Sequence, residues 1–119
     1  MLQNPDEVLH DTYLKRYNES LTSDKLINIV SRKDSGKEVY KHQNGFTTFK
    51  FDAKNVSDFA FGLSDNYLWD GTSIEIESGR RVACFSAYNP ISDFFYQAAT
   101  MAKRAIEFFS TQMPGVVYP

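Results

Sequence analysis

The sequence predicts an α+β fold: an antiparallel β-sheet with meander topology, a short N-terminal helix and a long, aromatic-rich C-terminal helix. Three observations predict this class. Apolar residues recur at helical spacing near both ends of the chain. Apolar and polar residues alternate through much of the centre, as in half-buried strands. Turn signals at Asn44-Gly45 and Ser78-Gly79 separate the alternating segments.

The N-terminal helix is predicted from residue 5 to residue 20. Asn4 is placed to cap it, Pro5 occupies the first helical position, and Glu7 could reach back as in a capping box. Apolar residues at i+4 steps give the helix one apolar face. They are Leu9, Tyr13, Tyr17 and Leu21.

Strands are predicted on both sides of Asn44-Gly45, the strongest hairpin signal in the chain. A polar turn is expected at Lys33-Asp34-Ser35-Gly36. The remaining predicted strands are residues 26–30, 56–63, 73–77 and 81–88, with Ser78-Gly79 as the turn between the last two.

The C-terminal helix is predicted from Ile91 to Met113. Asn89-Pro90 supplies a cap and a first-turn proline, and Pro114-Gly115 ends the helical pattern. The helix carries several phenylalanines on one face, so it requires a partner surface.

Composition places the chain among soluble globular proteins of one domain, since it has 119 residues, of which 42% are hydrophobic and 24% charged. The net charge is −2, and the basic residues form no stripe that would favour nucleic acid. The two adjacent basic pairs, Arg80-Arg81 and Lys103-Arg104, are interpreted as solvated surface. No apolar run approaches the ~20 residues of a membrane span.

Few residues are candidates for chemistry. His10 and His42 are the only histidines and are distant in sequence, which does not predict a zinc site. Glu75 and Glu77 lie two residues apart on a predicted strand and are interpreted as a solvated strand face. Cys84 lies in an apolar run and is interpreted as a small buried thiol. The sequence therefore predicts no catalytic, cofactor-binding or metal-binding residue in this chain.

Several segments from residue 48 onward occur in an order that resembles zinc aminopeptidases of the aminopeptidase N family. They are Thr48-Phe49-Lys50-Phe51, Asn55-Val56-Ser57-Asp58-Phe59-Ala60, Tyr67-Leu68-Trp69-Asp70, the predicted strand from Val82 to Ala87, the predicted helix and Val117-Tyr118-Pro119. The resemblance covers about the last 70 residues and fits the N-terminal part more loosely.

The resemblance implies that residues 1–88 belong to the N-terminal β-saddle domain and that residues 89–119 form the helix that opens the catalytic domain. The parent protein would bind zinc and remove N-terminal amino acids from peptides, or would be a degenerate member that lacks the zinc ligands. The family's G-x-M-E-N-like loop and H-E-x-x-H motif do not occur in this chain. The chain is therefore interpreted as a non-catalytic scaffold segment, with the rest of the parent polypeptide as its partner. Six phenylalanines would supply core or interdomain contacts: Phe59, Phe61, Phe94, Phe95, Phe108 and Phe109.

An alternative is a stand-alone α+β binding or assembly module. In that case the aromatic helix face would form a homodimer or partner interface. The apolar end Val116-Val117-Tyr118-Pro119 favours the first interpretation, because it resembles the beginning of another segment.

Overall fold

The computed structural model describes residues 1–54, 56, 58, 60–62 and 64–117, and its fold is α+β as predicted. A three-stranded antiparallel sheet has the spatial order β1-β2-β3. The strands are β1 (Ile27–Val30), β2 (Leu68–Glu77) and β3 (Arg80–Tyr88). The helices are α1 (Pro5–Val8), α2 (Asp11–Ser20) and α3 (Ala98–Thr111), with short 3₁₀ helices at Arg32–Asp34 and Phe95–Gln97.

The β2-β3 hairpin confirms the two strands predicted on either side of Ser78-Gly79, although β2 begins at Leu68, five residues before the predicted start at residue 73. Gly79 has φ of 78°, the left-handed conformation that the turn requires and that glycine adopts without strain. Thr72 lies opposite Cys84 in the ladder, and the register shifts at a bulge between Glu75 and Glu77. Strand β1 confirms the predicted strand near residues 26–30 and pairs with the first half of β2.

The predicted N-terminal helix is wrong at Leu9-His10, where the structure breaks it into α1 and α2. Leu9 is fully buried, adopts an extended conformation and bridges to Tyr40. The His10 amide donates to the Val39 carbonyl at 3.1 Å, which is incompatible with a continuous helical hydrogen-bond ladder. Helical spacing is a local property, and pairing with a distant segment overrides it here.

The predicted capping box at Asn4 is also wrong. The Asn4 side chain makes no cap hydrogen bond to the first turn. Its amide donates to the Glu7 carboxylate and to the Thr48 carbonyl, both at 2.9 Å, and its oxygen accepts from the Lys50 amide at 2.9 Å. Asn4 therefore ties the N-terminus to residues 48–50 rather than stabilising α1.

The Asn44-Gly45 turn forms, with φ of 54° and 80°, but the strands predicted beside it do not. Only the single bridge between Gln43 and Phe46 flanks the turn. The turn predicted at residues 33–36 overlaps the 3₁₀ helix Arg32–Asp34. In the strand predicted at residues 56–63, the described residues 56, 58 and 60–62 are not in a strand; Asn55, Ser57, Phe59 and Leu63 lie outside the described residues.

The main core lies between α2 and one face of the sheet. Tyr17 stacks on Phe85 with a centroid distance of 5.6 Å and contacts the Trp69 ring at 5.5 Å. Gly71 makes this packing possible, because a Cβ there would lie 2.8 Å from the Phe85 ring and 2.8 Å from Ser20 Oγ. Side chains alternate along strands, so Ile74, Cys84 and Tyr88 face the opposite side.

Helix α3 covers that opposite side. Its contacts are with β2 and β3, and Lys103 is close enough to Cys84 to affect the thiol electrostatically. The predicted start at Ile91 is wrong, because Asn89 forms a turn: its side-chain oxygen accepts from the Ile91 amide at 3.1 Å. Phe94 then has φ of 78°, and helical structure begins only at Phe95.

Candidate functional site

The most prominent surface feature is an exposed set of large apolar side chains on α3 and the segment before it, called here the aromatic surface. Phe94 is 75% exposed, and Phe95, Tyr96 and Phe109 are each more than half exposed. Phe108 is 43% exposed and meets Phe109 edge to face, with centroids 5.4 Å apart. The other members are Ile91, Met101 and Met113. Clustered large apolar side chains at a surface are typical of interaction sites, and Phe108 and Phe109 are in direct contact here.

The aromatic surface is exposed because α3 turns a different stripe toward the sheet. Ala99 and Ser110 are buried, and Lys103 and Ile106 between them are half-buried. These positions recur at steps of three or four, as one face of a helix requires. The sheet therefore receives Ala99, Lys103, Ile106 and Ser110, and the phenylalanines of α3 are exposed.

The six phenylalanines were expected to supply core or interdomain contacts, and five of them are not in the core of this chain. Phe61 is 84% exposed, and the four on or before α3 belong to the aromatic surface. Phe59 lies outside the described residues. Their predicted role in interdomain contacts stays a prediction.

The two histidines, far apart in sequence, are close in the structure. His10 Nε2 lies 3.9 Å and His42 Nε2 3.6 Å from the two carboxylate oxygens of Glu38. His42 Nδ1 also lies 2.9 Å from Thr47 Oγ1. All three side chains are at least 44% exposed, so these contacts lie at the surface. Among the described residues, no group of three or more His, Cys, Asp or Glu side chains is arranged to hold a metal ion.

Glu75 and Glu77 are exposed, as predicted, and each pairs with an arginine of β3. Glu77 pairs with Arg80 at 2.9 Å, and Glu75 with Arg81 at 3.8 Å. Arg81 is not the solvated residue that was predicted: its side chain is 24% exposed, binds Asp24 and donates to Ser73 Oγ at 3.0 Å.

Lys103 likewise departs from the predicted solvated surface, with a side chain only 17% exposed. It donates to the Asp24 carbonyl at 2.6 Å. Asp24 therefore joins β3 to α3, and the two cations lower its carboxyl pKa, chiefly through the hydrogen bond from Arg81. Arg104 is exposed, in agreement with the prediction.

Sequence reasoning missed the buried carboxylate of Asp34. Burial raises the pKa of the Asp34 carboxyl. Hydrogen bonds from the Ser31 hydroxyl and amide, Arg16 and Lys37 lower it by a larger amount, so the net pKa is well below the ordinary value. Ser31 and Asp34 form a capping box on the 3₁₀ helix. The spacing Ser31-x-x-Asp34 was the available signal.

Asp34 lies in the wall of a cleft of about 270 Å³. Its lining includes most of residues 30–40 together with Asn66, Tyr67, Leu68 and Pro90. The ionised side chain of Asp34 is already satisfied by its own neighbours. The Arg32 guanidinium donates to the Pro90 carbonyl across the cleft. This hydrogen bond links the 3₁₀ helix after β1 to the turn after β3.

A second buried carboxylate, Asp70, is 1% exposed. Its two oxygens accept from Asn28 Nδ2 at 2.6 Å and from the Tyr88 hydroxyl at 2.7 Å. One residue from each strand thus contributes to a hydrogen-bonded group across the sheet. Burial and the adjacent Asp70 raise the pKa of Tyr88 to about 12. Trp69, the neighbour of Asp70, packs in the core with Tyr17 and Phe85.

Cys84 is 4% exposed, which confirms a buried thiol. Burial raises its pKa, although Lys103 acts in the opposite direction. A thiol of this kind is a weak nucleophile at neutral pH.

No protein-family model, curated protein or solved structure gives a significant match to this chain. Of the segments that carry the aminopeptidase resemblance, residues 48–51 include Phe51, which bridges to Leu2, and Leu68–Asp70 begins β2. Half of Asn55–Ala60 lies outside the described residues, as do Tyr118 and Pro119. No described helix combines the length and apolar character that crossing a bilayer requires.

Proposed function

We propose that this chain is a non-catalytic structural segment whose aromatic surface packs against another domain of the same polypeptide. The exposure of the aromatic surface carries the proposal. Burying apolar area stabilises by about 25 cal/mol per Å², and aromatic side chains contribute most per residue at interfaces. The exposed phenylalanines of α3 would lose contact with water, and be stabilised, by packing against a second surface.

The proposal for that second domain rests on the resemblance of the sequence to the aminopeptidase N family. We propose that it is the catalytic domain of a zinc-dependent aminopeptidase of the aminopeptidase N type, which releases N-terminal amino acids from peptides. In this proposal α3 belongs to the junction between the β-rich domain and the catalytic domain. The zinc ligands and the general base would come from the rest of the polypeptide.

The domain contact is tested by hydrogen exchange in the longer polypeptide and in this chain alone. Residues 91–113 should exchange more slowly in the longer polypeptide, because the aromatic surface is covered there. The double variant Phe95→Ser, Phe109→Ser should abolish that protection. Phe46→Ser is the matched control, since Phe46 is 77% exposed and lies outside the aromatic surface. Equal exchange of residues 91–113 in both proteins would contradict the proposed contact.

The activity is tested separately with aminoacyl substrates. The longer polypeptide should hydrolyse them, and a chelator should abolish the reaction. Protection of residues 91–113 without zinc-dependent hydrolysis would leave the domain contact standing and reject the aminopeptidase. The alternative, a stand-alone assembly module, would appear as self-association that the same double variant abolishes.

A further inference from the structure

The Asn44-Gly45 turn lies at the surface and is held by few contacts. Both residues are exposed and have positive φ, of 54° and 80°. The bridge between Gln43 and Phe46 closes the turn with two backbone hydrogen bonds, at 2.7 and 3.1 Å. Within the described part of the chain, neither the Asn44 side chain nor the Gly45 amide has a hydrogen-bond partner. Hydrogen bonding therefore does not hold either group in place.

An asparagine followed by glycine places an electrophilic carbon next to an unhindered nitrogen. The side-chain carbonyl carbon of Asn44, Cγ, and the backbone nitrogen of Gly45 can close a five-membered ring. Glycine has no Cβ to obstruct this approach. A Cβ built at Gly45 would meet no atom within 4 Å, so no neighbouring segment crowds the residue. Ring closure requires the peptide to rotate out of the turn conformation, and a surface turn closed by one isolated bridge opens at a small cost in free energy.

We propose that Asn44 is a site of spontaneous deamidation, which converts it through a cyclic succinimide to aspartate or isoaspartate. Hydroxide removes the proton of the Gly45 amide, and the nitrogen attacks Asn44 Cγ. The bond from Cγ to Nδ2 breaks, and the departing nitrogen takes a proton from water and leaves as ammonia. This chemistry needs only water and hydroxide, and it does not depend on the proposed function.

Water then opens the succinimide ring at one of its two carbonyl carbons. Attack at Cγ breaks the bond from Cγ to the Gly45 nitrogen and leaves aspartate in an ordinary main chain. Attack at the main-chain carbon breaks the original peptide bond, so the chain continues through the side chain as isoaspartate. The Gly45 nitrogen regains a proton in both cases. One water enters and one ammonia leaves, and a chain of net charge −2 gains one negative charge.

The other asparagines lack this combination of features. Asn4 and Asn89 precede proline, which has no amide proton. Asn28 lies in β1, donates to Asp70 at 2.6 Å and precedes the β-branched Ile29. The remaining asparagines precede glutamate, valine and tyrosine, whose side chains hinder attack by the following nitrogen: Asn18, Asn55 and Asn66. Conversion should therefore be concentrated at Asn44.

The test is peptide mapping by mass spectrometry of the purified chain during incubation at neutral and mildly alkaline pH. Trypsin cleaves after Lys41 and Lys50, so the peptide of residues 42–50 contains Asn44 and no other asparagine. This peptide should gain the mass of an exchange of NH₂ for OH, at a rate proportional to hydroxide concentration. It should also separate into aspartate and isoaspartate forms on chromatography. Asn18 and Asn28 are internal controls and should convert at least an order of magnitude more slowly.

Two variants and one comparison separate the contributions of sequence and fold. Asn44→Gln keeps an amide but would need a six-membered ring, so conversion at this position should fall to the level of the neighbouring Gln43. Gly45→Ala should slow conversion by an order of magnitude, because its Cβ obstructs the nitrogen. Conversion of the folded chain should be within about tenfold of the rate in urea, since the turn opens easily.

Three results would overturn the proposal. The first is a folded chain that is protected beyond that factor relative to the chain in urea. The second is conversion at Asn18 or Asn28 as fast as at Asn44. The third is an unchanged rate in Gly45→Ala, which would mean that the Gly45 nitrogen is not the attacking group.

Discussion

The Tyr88 hydroxyl donates a hydrogen bond to the Asp70 carboxylate at 2.7 Å, between the neighbouring strands β3 and β2. Asp70 has no cation among its hydrogen-bond partners in the described structure; Asn28 and Tyr88 supply the donors. A buried carboxylate that loses a donor retains the full desolvation penalty of the unmade bond. The stability of the sheet therefore depends on this pair.

Replacing Tyr88 with phenylalanine should destabilise the fold by about 1–3 kcal/mol, because one oxygen of Asp70 is left without its donor. The free energy of unfolding in urea measures the effect. Tyr96→Phe is the control, since Tyr96 is 54% exposed, and its stability should equal that of the wild type. Equal stabilities of Tyr88→Phe and wild type would show that the hydrogen bond contributes nothing.

The raised pKa of Tyr88 predicts a loss of stability at alkaline pH. The folded pKa of about 12 lies above the value of 10.0 for an ordinary tyrosine, so folding favours the neutral hydroxyl. Its contribution is fully present below pH 10 and is lost as pH rises from about 10 to about 12. Urea unfolding at several pH values in this range should show a steeper decline for wild type than for Tyr88→Phe.

Asp34 should stabilise the fold by an amount that disappears in acid. Its folded pKa is depressed, so the contribution is present above the unfolded pKa of ~3.9 and is lost as pH falls through the folded value. Asp34→Asn should cost about 2–3 kcal/mol at neutral pH, because Arg16 and Lys37 lose a charged acceptor. It should also flatten the decline of stability below pH 4. Asp65→Asn, at an exposed position, should change neither quantity.

Gly71→Ala tests the close packing of α2 on the sheet. The added methyl group would meet the Phe85 ring and Ser20 Oγ at 2.8 Å, and this overpacking should cost about 1–3 kcal/mol. Gly62→Ala provides the matched control, since a Cβ there has no atom within 4 Å. Similar melting temperatures for the two variants would mean that Phe85 and Ser20 move aside without cost.

Local sequence patterns determined the fold class, the β2-β3 hairpin and the helical character of residues 98–111. Alternation on both sides of Ser78-Gly79 fixes a hairpin because the partner strand is adjacent in sequence. The same reasoning predicted an exposed glutamate pair and a buried Cys84. These features depend on neighbours within a few residues.

Tertiary structure alone decided how the elements meet. The break at Leu9-His10 arises from pairing with Val39 and Tyr40, some thirty residues away. The burial of Arg81 and Lys103 around Asp24, and of Asp70 between Asn28 and Tyr88, likewise depends on contacts between distant segments. Periodicity predicts a C-terminal helix with several phenylalanines on one face, but it does not determine which face of the helix packs on the sheet. In the folded chain Ala99 and Ser110 are buried, and the phenylalanines of α3 are left at the surface.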